Sequence, residues 1–225
     1  SEVVIHDILV GEVWLCSGQS NMAMSVRGVE NAEQEMAAAM TPAIRHFKTG
    51  AQARADAPQV ECAGDWVICS PETVGGFSAT AYFFAKNVHL NTGVPVGLIN
   101  ASWGAHQIMH FIAPEGVAAI PELAGLRQQI LDGPEPTSAQ GVYYDVYNSM
   151  VHPLVPYGIR GFVWYRYHMI LSFYPQFPQV GCDGAKCFIP IAILIMERTP
   201  EAFLMVVEQN GVFNEGISHI IFRSL

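Results

Sequence analysis

The sequence contains few charged residues and even fewer cations. Only 14% of its 225 residues are charged, with 11 Lys and Arg against 20 Asp and Glu. The resulting formal charge of -9 removes the attraction to phosphate backbones that drives nucleic-acid binding, so nucleic acid is not an expected partner. Long apolar runs are also missing, since the densest, residues 188–196, is far shorter than the ~18 residues that a bilayer requires. We therefore predict no membrane span.

The amino terminus carries neither Met nor the basic and apolar pattern of a signal peptide. We therefore expect the sequence to be a processed or excised piece of a longer protein. Its localisation does not follow from its ends.

The five cysteines lack the spacing of a metal or redox motif, because no two of them form a C-x-x-C pair. Their odd number, in a chain too large to need stapling, also argues against a disulfide scaffold. We expect buried free thiols, with a disulfide between Cys62 and Cys69 as the alternative and thiolate-bound zinc as the weakest interpretation. Glycine-rich phosphate and dinucleotide loops are missing too, so the sequence predicts no metal and no cofactor.

Apolar residues are abundant, at 51% of the chain, which provides for one sizeable core and excludes a disordered chain. Short apolar runs alternate with segments of helical periodicity, as in βαβ units. We therefore predict an α/β fold with helices on both faces of a mostly parallel sheet. The predicted strands are residues 8–10 with 13–16, 44–48, 66–69, 94–100 and 159–165, and the predicted helices are residues 29–40, 77–90 and 115–131.

Ligands of such sheets bind beyond the carboxyl ends of the strands. We therefore expect the functional residues to follow Cys16, Asn100 and Tyr165. After Cys16 comes Ser-Gly-Gln-Ser-Asn-Met, a tight turn that would hold the hydroxyl of Ser20 near a helix N-terminus. Two interpretations stand at this point: Ser20 is a nucleophile, or it merely caps the helix. The glycine spacing around Ser20 differs from the G-x-S-x-G elbow of α/β-hydrolases.

The second strand end carries a glycine, Gly104, which would let a backbone N–H approach a ligand closely. A simple turn glycine is the alternative. The third strand end continues into Arg166, Tyr167 and His168, which offer a cation and rings but no amide donor.

Four blocks follow one another along the chain: GEVWLCSGQSNM at residues 11–22, FSATAYFF at 77–84, VPVGLINASWG at 94–104, and YNSMVHPL at 147–154 with GFVWY at 161–165. In this order they resemble the sialate O-acetylesterase family, a branch of the SGNH (GDSL-like) hydrolases. The resemblance extends over roughly residues 5–165. It divides the chain into an SGNH-type domain at residues 1–165 and a non-matching segment at residues 166–225.

The resemblance implies a three-layer α/β/α, flavodoxin-like fold in which Ser20 attacks an O-acetyl ester of sialic acid or another carbohydrate. It implies that the backbone N–H groups of Ser20 and Gly104 hold the oxyanion, and that Gln19, Asn21 and Trp103 contact the substrate. It implies no cofactor, and by family analogy a periplasmic or secreted location. The reaction also needs a base, because a serine hydroxyl is a weak nucleophile without one, and it needs preorganised donors for the oxyanion.

The sequence departs from the family pattern at three places. In the second block Ala105 and His106 replace Gly-Thr, and Phe111 stands where a Trp is expected. Residues 166–169 replace Gln-Gly-Glu-Ser, so the side-chain oxyanion donor is missing. The resemblance also implies a closing Asp-x-x-His, whose histidine would be the base, but this motif does not occur in the sequence. The nearest spacing, Glu215 with His219, is more typical of a solvated pair.

These departures support an alternative function, a catalytically inactive sugar-binding or structural remnant of the fold. They also suggest that residues 166–225 are an altered, truncated or frame-shifted tail that packs less well than the rest. Residues 192–196 and 203–207 nevertheless have strand-like composition.

Two further patterns are expected to be structural. His106 and His110 have the i, i+4 spacing of a zinc helix but lack its glutamate and a third ligand, so a structural or supporting role is predicted. The aromatic residues around Trp164 and Tyr165 are expected to belong to the core and its rim rather than to a cofactor site.

Overall fold

A five-stranded sheet organises the part of the chain that the computed structural model describes, residues 4–50, 55–106, 110–113 and 144–165. The strands are β1 (Glu12–Gly18), β2 (Ile44–Lys48), β3 (Trp66–Ile68), β4 (Val96–Ser102) and β5 (Gly161–Tyr165). Their spatial order is β3-β2-β4-β1-β5. All pairings are parallel except that of β3, which is antiparallel to β2. The predicted mostly parallel α/β sheet is confirmed, with β1 between β4 and β5.

In the described residues three α-helices accompany the strands: α1 (Ser20–Ala23), α2 (Ala32–Ala38) and α3 (Ala79–Thr92). Shorter turns are the 3-10 helices Val26–Gly28, Val74–Gly76 and His152–Leu154 and the π-helix Tyr147–Val151. The longest helix, α3, is capped at both ends. The Ser78 hydroxyl accepts a bond from the Ala81 N–H at 3.2 Å, and Gly93 closes the helix at φ +70°.

The two faces of the sheet carry separate apolar cores. Trp14 and Cys16 of β1 belong to the core that α3 covers, whereas Leu15, between them in sequence, belongs to the other. The second core is built with Phe111, Met150 and Trp164, from the segments that cover the opposite face. This three-layer arrangement is the predicted SGNH-like α/β/α fold.

Most predicted elements form, with shifted ends. Residues 44–48 are a strand as predicted, and the helix expected at 29–40 is shorter, at Ala32–Ala38. The prediction of a strand that begins with residues 8–10 is wrong, because Ile8 and Val10 are exposed and β1 begins only at Glu12. The predicted helix at 115–131 and the tail from residue 166 lie outside the described residues.

Three cysteines lie in the described part of the chain, and Cys16, Cys62 and Cys69 are all free thiols. The alternative of a disulfide between Cys62 and Cys69 is therefore wrong in this structure. Burial raises the pKa of the Cys16 thiol far above its ordinary value, so this thiol is an apolar core group rather than a reactive one. In the same described segments, no helix combines the length and the hydrophobicity that crossing a membrane requires.

The buried imidazole of His46 makes the stability of this fold dependent on pH. Its Nε2 accepts the Ser78 N–H at 3.4 Å at the start of α3, and its ring stacks on Phe77 at 4.7 Å. Burial, together with the nearby charge of Lys48, lowers the pKa of His46 to about 4. The native state therefore keeps His46 neutral at a pH where the unfolded chain has already protonated it.

We expect the free energy of unfolding to fall by about 3 kcal/mol between pH 7 and pH 4 through this residue, because the unfolded state binds the extra proton below its ordinary pKa near 6.5. Urea unfolding of the parent chain and of His46→Gln, which keeps an acceptor but does not titrate, checks this. The variant is expected to lose that part of the pH dependence. An equal loss of stability in both proteins on acidification would contradict it.

Candidate active site

The carboxyl ends of three neighbouring strands, β4, β1 and β5, meet at one edge of the sheet. In the strand register, Gly18 at the end of β1 is level with Ser102 at the end of β4 and with Tyr165 at the end of β5. The backbone continues this alignment, since the Trp103 N–H donates to the Gly18 carbonyl at 2.9 Å and the Gln19 N–H donates to the Tyr165 carbonyl at 3.1 Å. The three sequence positions singled out as strand ends therefore converge in space.

Gly18 makes this convergence possible. Its φ is +140°, and a Cβ on this residue would lie 2.1 Å from the Tyr165 carbonyl oxygen. Any side chain would thus collide with the backbone of β5. The strand β1 approaches β5 closely and turns sharply into α1 only because residue 18 is a glycine.

Ser20 is the first residue of α1 and is exposed to solvent. Gln19, not Ser20, occupies the N-cap position, so the alternative in which Ser20 merely caps the helix is wrong. No described side chain forms a hydrogen bond with Ser20 Oγ. Because α1 has only four residues, its dipole adds little to the site, and the exposed hydroxyl itself is the feature that the turn presents.

Gly104 lies directly beside Ser20. A Cβ built on Gly104 would lie 3.6 Å from Ser20 Cβ and 3.8 Å from the Ser20 backbone nitrogen. The two residues that the resemblance assigns to the oxyanion site are thus neighbours, although they are 84 positions apart in the sequence. Their catalytic roles stay predictions.

The three residues predicted to contact substrate surround this pair in different ways. The Gln19 side chain donates to the His106 carbonyl, so its amide supports the neighbouring loop. The Asn21 carbonyl accepts from the Thr80 hydroxyl at 3.3 Å. Trp103 is half-buried, and its ring packs against His106 at 4.4 Å. None of these contacts tests a substrate role.

Behind this group lies a buried acid–base pair that the sequence did not reveal. His110 Nδ1 lies 2.9 Å from Asp145 Oδ1, and the two side chains are only 4% and 1% exposed. The ring of His110 meets the ring of His106 edge to face, at 5.1 Å. Because Asp145 and His110 are 35 residues apart, no local motif connects them, and only the fold brings them together.

Among the described residues, no histidine forms a hydrogen bond with Ser20 Oγ. His152 donates from Nδ1 to the Gln59 carbonyl at 2.8 Å. His168, and Glu215 with His219, lie outside the described residues. In the part of the chain that the structure describes, no three His, Cys, Asp or Glu side chains cluster as a metal site would require.

The chain is similar in sequence and in fold to known acetylesterases. The chain is 30% identical over 172 residues to human sialate O-acetylesterase and 26% identical over 194 residues to the rat enzyme, and each alignment covers 72% of the chain. A solved structure, a carbohydrate acetylesterase from Xanthomonas citri, matches with a TM-score of 0.59 and 31% identity over 71% of this chain and 33% of that one. No family model matches the sequence.

The chain spans about a third of the length of these curated relatives, at 32% of the human enzyme and 36% of the rat enzyme. The curated relatives and the solved structure are all named acetylesterases. Over 72% of its length, this chain is therefore a partial match to the sialate O-acetylesterase family.

Proposed function

We propose that this chain is the serine hydrolase part of a carbohydrate O-acetylesterase, in which Ser20 takes the acetyl group from a sugar hydroxyl of sialic acid or another glycan. The observation that carries the proposal is the proximity of Ser20 and Gly104 at the edge where β1, β4 and β5 end. Relatives named sialate O-acetylesterase and carbohydrate acetylesterase support the substrate class.

The proposed reaction has two steps. Ser20 Oγ attacks the acetyl carbonyl, the sugar hydroxyl leaves, and water then hydrolyses the acetyl-serine to acetate. In each step the carbonyl oxygen gains negative charge, and the backbone N–H groups of Ser20 and Gly104 would stabilise it. The base that takes the Ser20 proton is not among the hydrogen-bond partners of Ser20 in the described residues.

That last observation favours a second candidate, an inactive sugar-binding or structural domain. Without a base, the remaining groups accelerate ester hydrolysis only about 10³- to 10⁴-fold over water. Division of the chain into an esterase domain at residues 1–165 and a non-matching segment at residues 166–225 belongs to the same proposal.

Acetate release from O-acetylated sialosides tests the proposal directly. We expect the full chain to release acetate from an O-acetylated sialoside and to carry an acetyl group on the Ser20 peptide after acid quenching. Binding of the sialoside without release of acetate would favour the inactive candidate. Absence of both binding and release would contradict both the esterase and the sugar-binding candidate and would favour a purely structural domain.

The Gly104 N–H can be tested separately. Gly104→Pro removes this donor, and we expect kcat to fall about 10²- to 10³-fold, the usual effect of losing one oxyanion donor. Gly104→Ala is the matched control, since its Cβ would make an ordinary 3.6 Å contact with Ser20 Cβ and the N–H is kept. We expect the alanine variant to retain most of kcat. Parental kcat in a folded proline variant would remove Gly104 from the oxyanion site.

A further inference from the structure

Polar side chains connect the second covering layer of the sheet to the loop that carries Gly104. We name residues 103–106 the donor loop. His106 Nδ1 lies 2.9 Å from the Gly104 carbonyl, the His106 ring meets the His110 ring at 5.1 Å, and His110 Nδ1 lies 2.9 Å from Asp145 Oδ1. The contacts run without interruption from Asp145, through the two imidazoles, to the residue beside Ser20.

The hydrogen bonds fix which ring nitrogens carry protons. A carbonyl and a carboxylate only accept, so Nδ1 of His106 donates to Gly104 and Nδ1 of His110 donates to Asp145. Asp145 Oδ1 also accepts the Val146 N–H at 2.7 Å, which holds the carboxylate in place. The orientation of each ring is therefore set by a partner that is itself anchored.

The donor loop needs such support because its backbone is strained. Ala105, between Gly104 and His106, has φ +64°, a left-handed conformation that costs a non-glycine residue about 1 kcal/mol or more. Outside contacts hold the loop from both sides of this residue. The Trp103 N–H donates to the Gly18 carbonyl, and the Gln19 side chain donates to the His106 carbonyl.

Burial of Asp145 and His110 calls for an explanation other than stability. Both side chains are almost fully buried, and apolar residues of similar size would fill the space with less desolvation cost. What a carboxylate–imidazole pair supplies, and apolar residues do not, is a fixed ring orientation.

We propose that Asp145, His110 and His106 are positioning residues, which hold the donor loop so that the Gly104 N–H faces Ser20. The effect on turnover rests on the proposed esterase function, whereas the effect on the loop does not. This series of contacts acts through Gly104, so none of the three side chains needs to touch the substrate.

Kinetics of Asp145→Asn in the full chain test the effect on turnover. Asparagine keeps one acceptor oxygen for His110 and Val146 but lacks the charge that strengthens these bonds. We expect kcat for aryl acetate to fall about 10- to 100-fold with KM nearly unchanged, because a small misplacement of an oxyanion donor affects the transition state more than binding. His46→Gln is the matched control, a comparably buried imidazole in the opposite layer, and should keep parental kcat per folded molecule.

A spectroscopic measurement tests the loop itself. In protein labelled with ¹⁵N-glycine, the Gly104 amide resonance, assigned by its loss in Gly104→Ala, is expected to shift in Asp145→Asn and in His106→Gln but not in His46→Gln. An unmoved resonance in folded Asp145→Asn would overturn the inference, as would a parental kcat. If the parent shows no turnover that depends on Ser20, the esterase function fails, and the resonance alone decides on the positioning role.

Discussion

Replacing Ser20 by alanine is expected to lower kcat for aryl acetate hydrolysis at least ~10³-fold while leaving the free energy of unfolding almost unchanged. The loss follows from the proposed mechanism, since the attacking oxygen is removed. Stability should not change, because Ser20 is exposed and its hydroxyl bonds to no described side chain. Steady-state kinetics and urea unfolding measure the two effects independently.

Ser17, in the same sequence motif, is the matched control. Its hydroxyl is buried and donates to the Ala101 carbonyl of β4 at 2.6 Å. Ser17→Ala should therefore lower the free energy of unfolding by about 1 kcal/mol and keep kcat, the opposite pattern to Ser20→Ala. Turnover that survives Ser20→Ala would show that another group carries the chemistry, or that hydrolysis is nonspecific.

Much of the fold was predictable because its signals are local. The helix α3 has an apolar face, a Ser78 cap and a Gly93 stop, and β2 is a short run bounded by Pro42 and Gly50. The failure at residues 8–10 shows the limit of such signals. An apolar run of this length looks the same whether it pairs with a neighbour or lies exposed beside the sheet, and it is the pairing with β4 that begins β1 at Glu12.

Some residues of the candidate site were also predictable from local signals, and others were not. Ser20 and Gly104 were predictable because each follows its own strand, and parallel strands bring their carboxyl ends to one edge. The role of Asp145 was not predictable, because it depends on the hydrogen bond with His110. That bond forms only after both segments fold against the same face of the sheet. The family's Asp-x-x-His is a local spacing, whereas His110 and Asp145 are 35 residues apart in the sequence.

Gly18 connects the fold to the site, and its replacement has the largest expected effect on stability. A Cβ at this position would lie 2.1 Å from the Tyr165 carbonyl oxygen and 2.8 Å from its carbonyl carbon, both backbone atoms of the neighbouring strand. Neither atom can move without breaking the pairing of β1 with β5. The φ of +140° adds a second penalty for any residue with a side chain.

We therefore expect Gly18→Ala to lower the free energy of unfolding by about 4 kcal/mol, which places it among the most damaging single substitutions. Gly76→Ala is the matched control, because a Cβ there meets no atom within 4 Å, and its stability should stay within ~0.5 kcal/mol of the parent. Thermal and urea unfolding compare the two. Any Gly18→Ala molecules that fold must separate the ends of β1 and β5, which displaces Ser20 from Gly104, so the kcat per folded molecule should fall as well. A stable Gly18→Ala variant with parental kcat would mean that the close approach of β1 to β5 is not what positions Ser20.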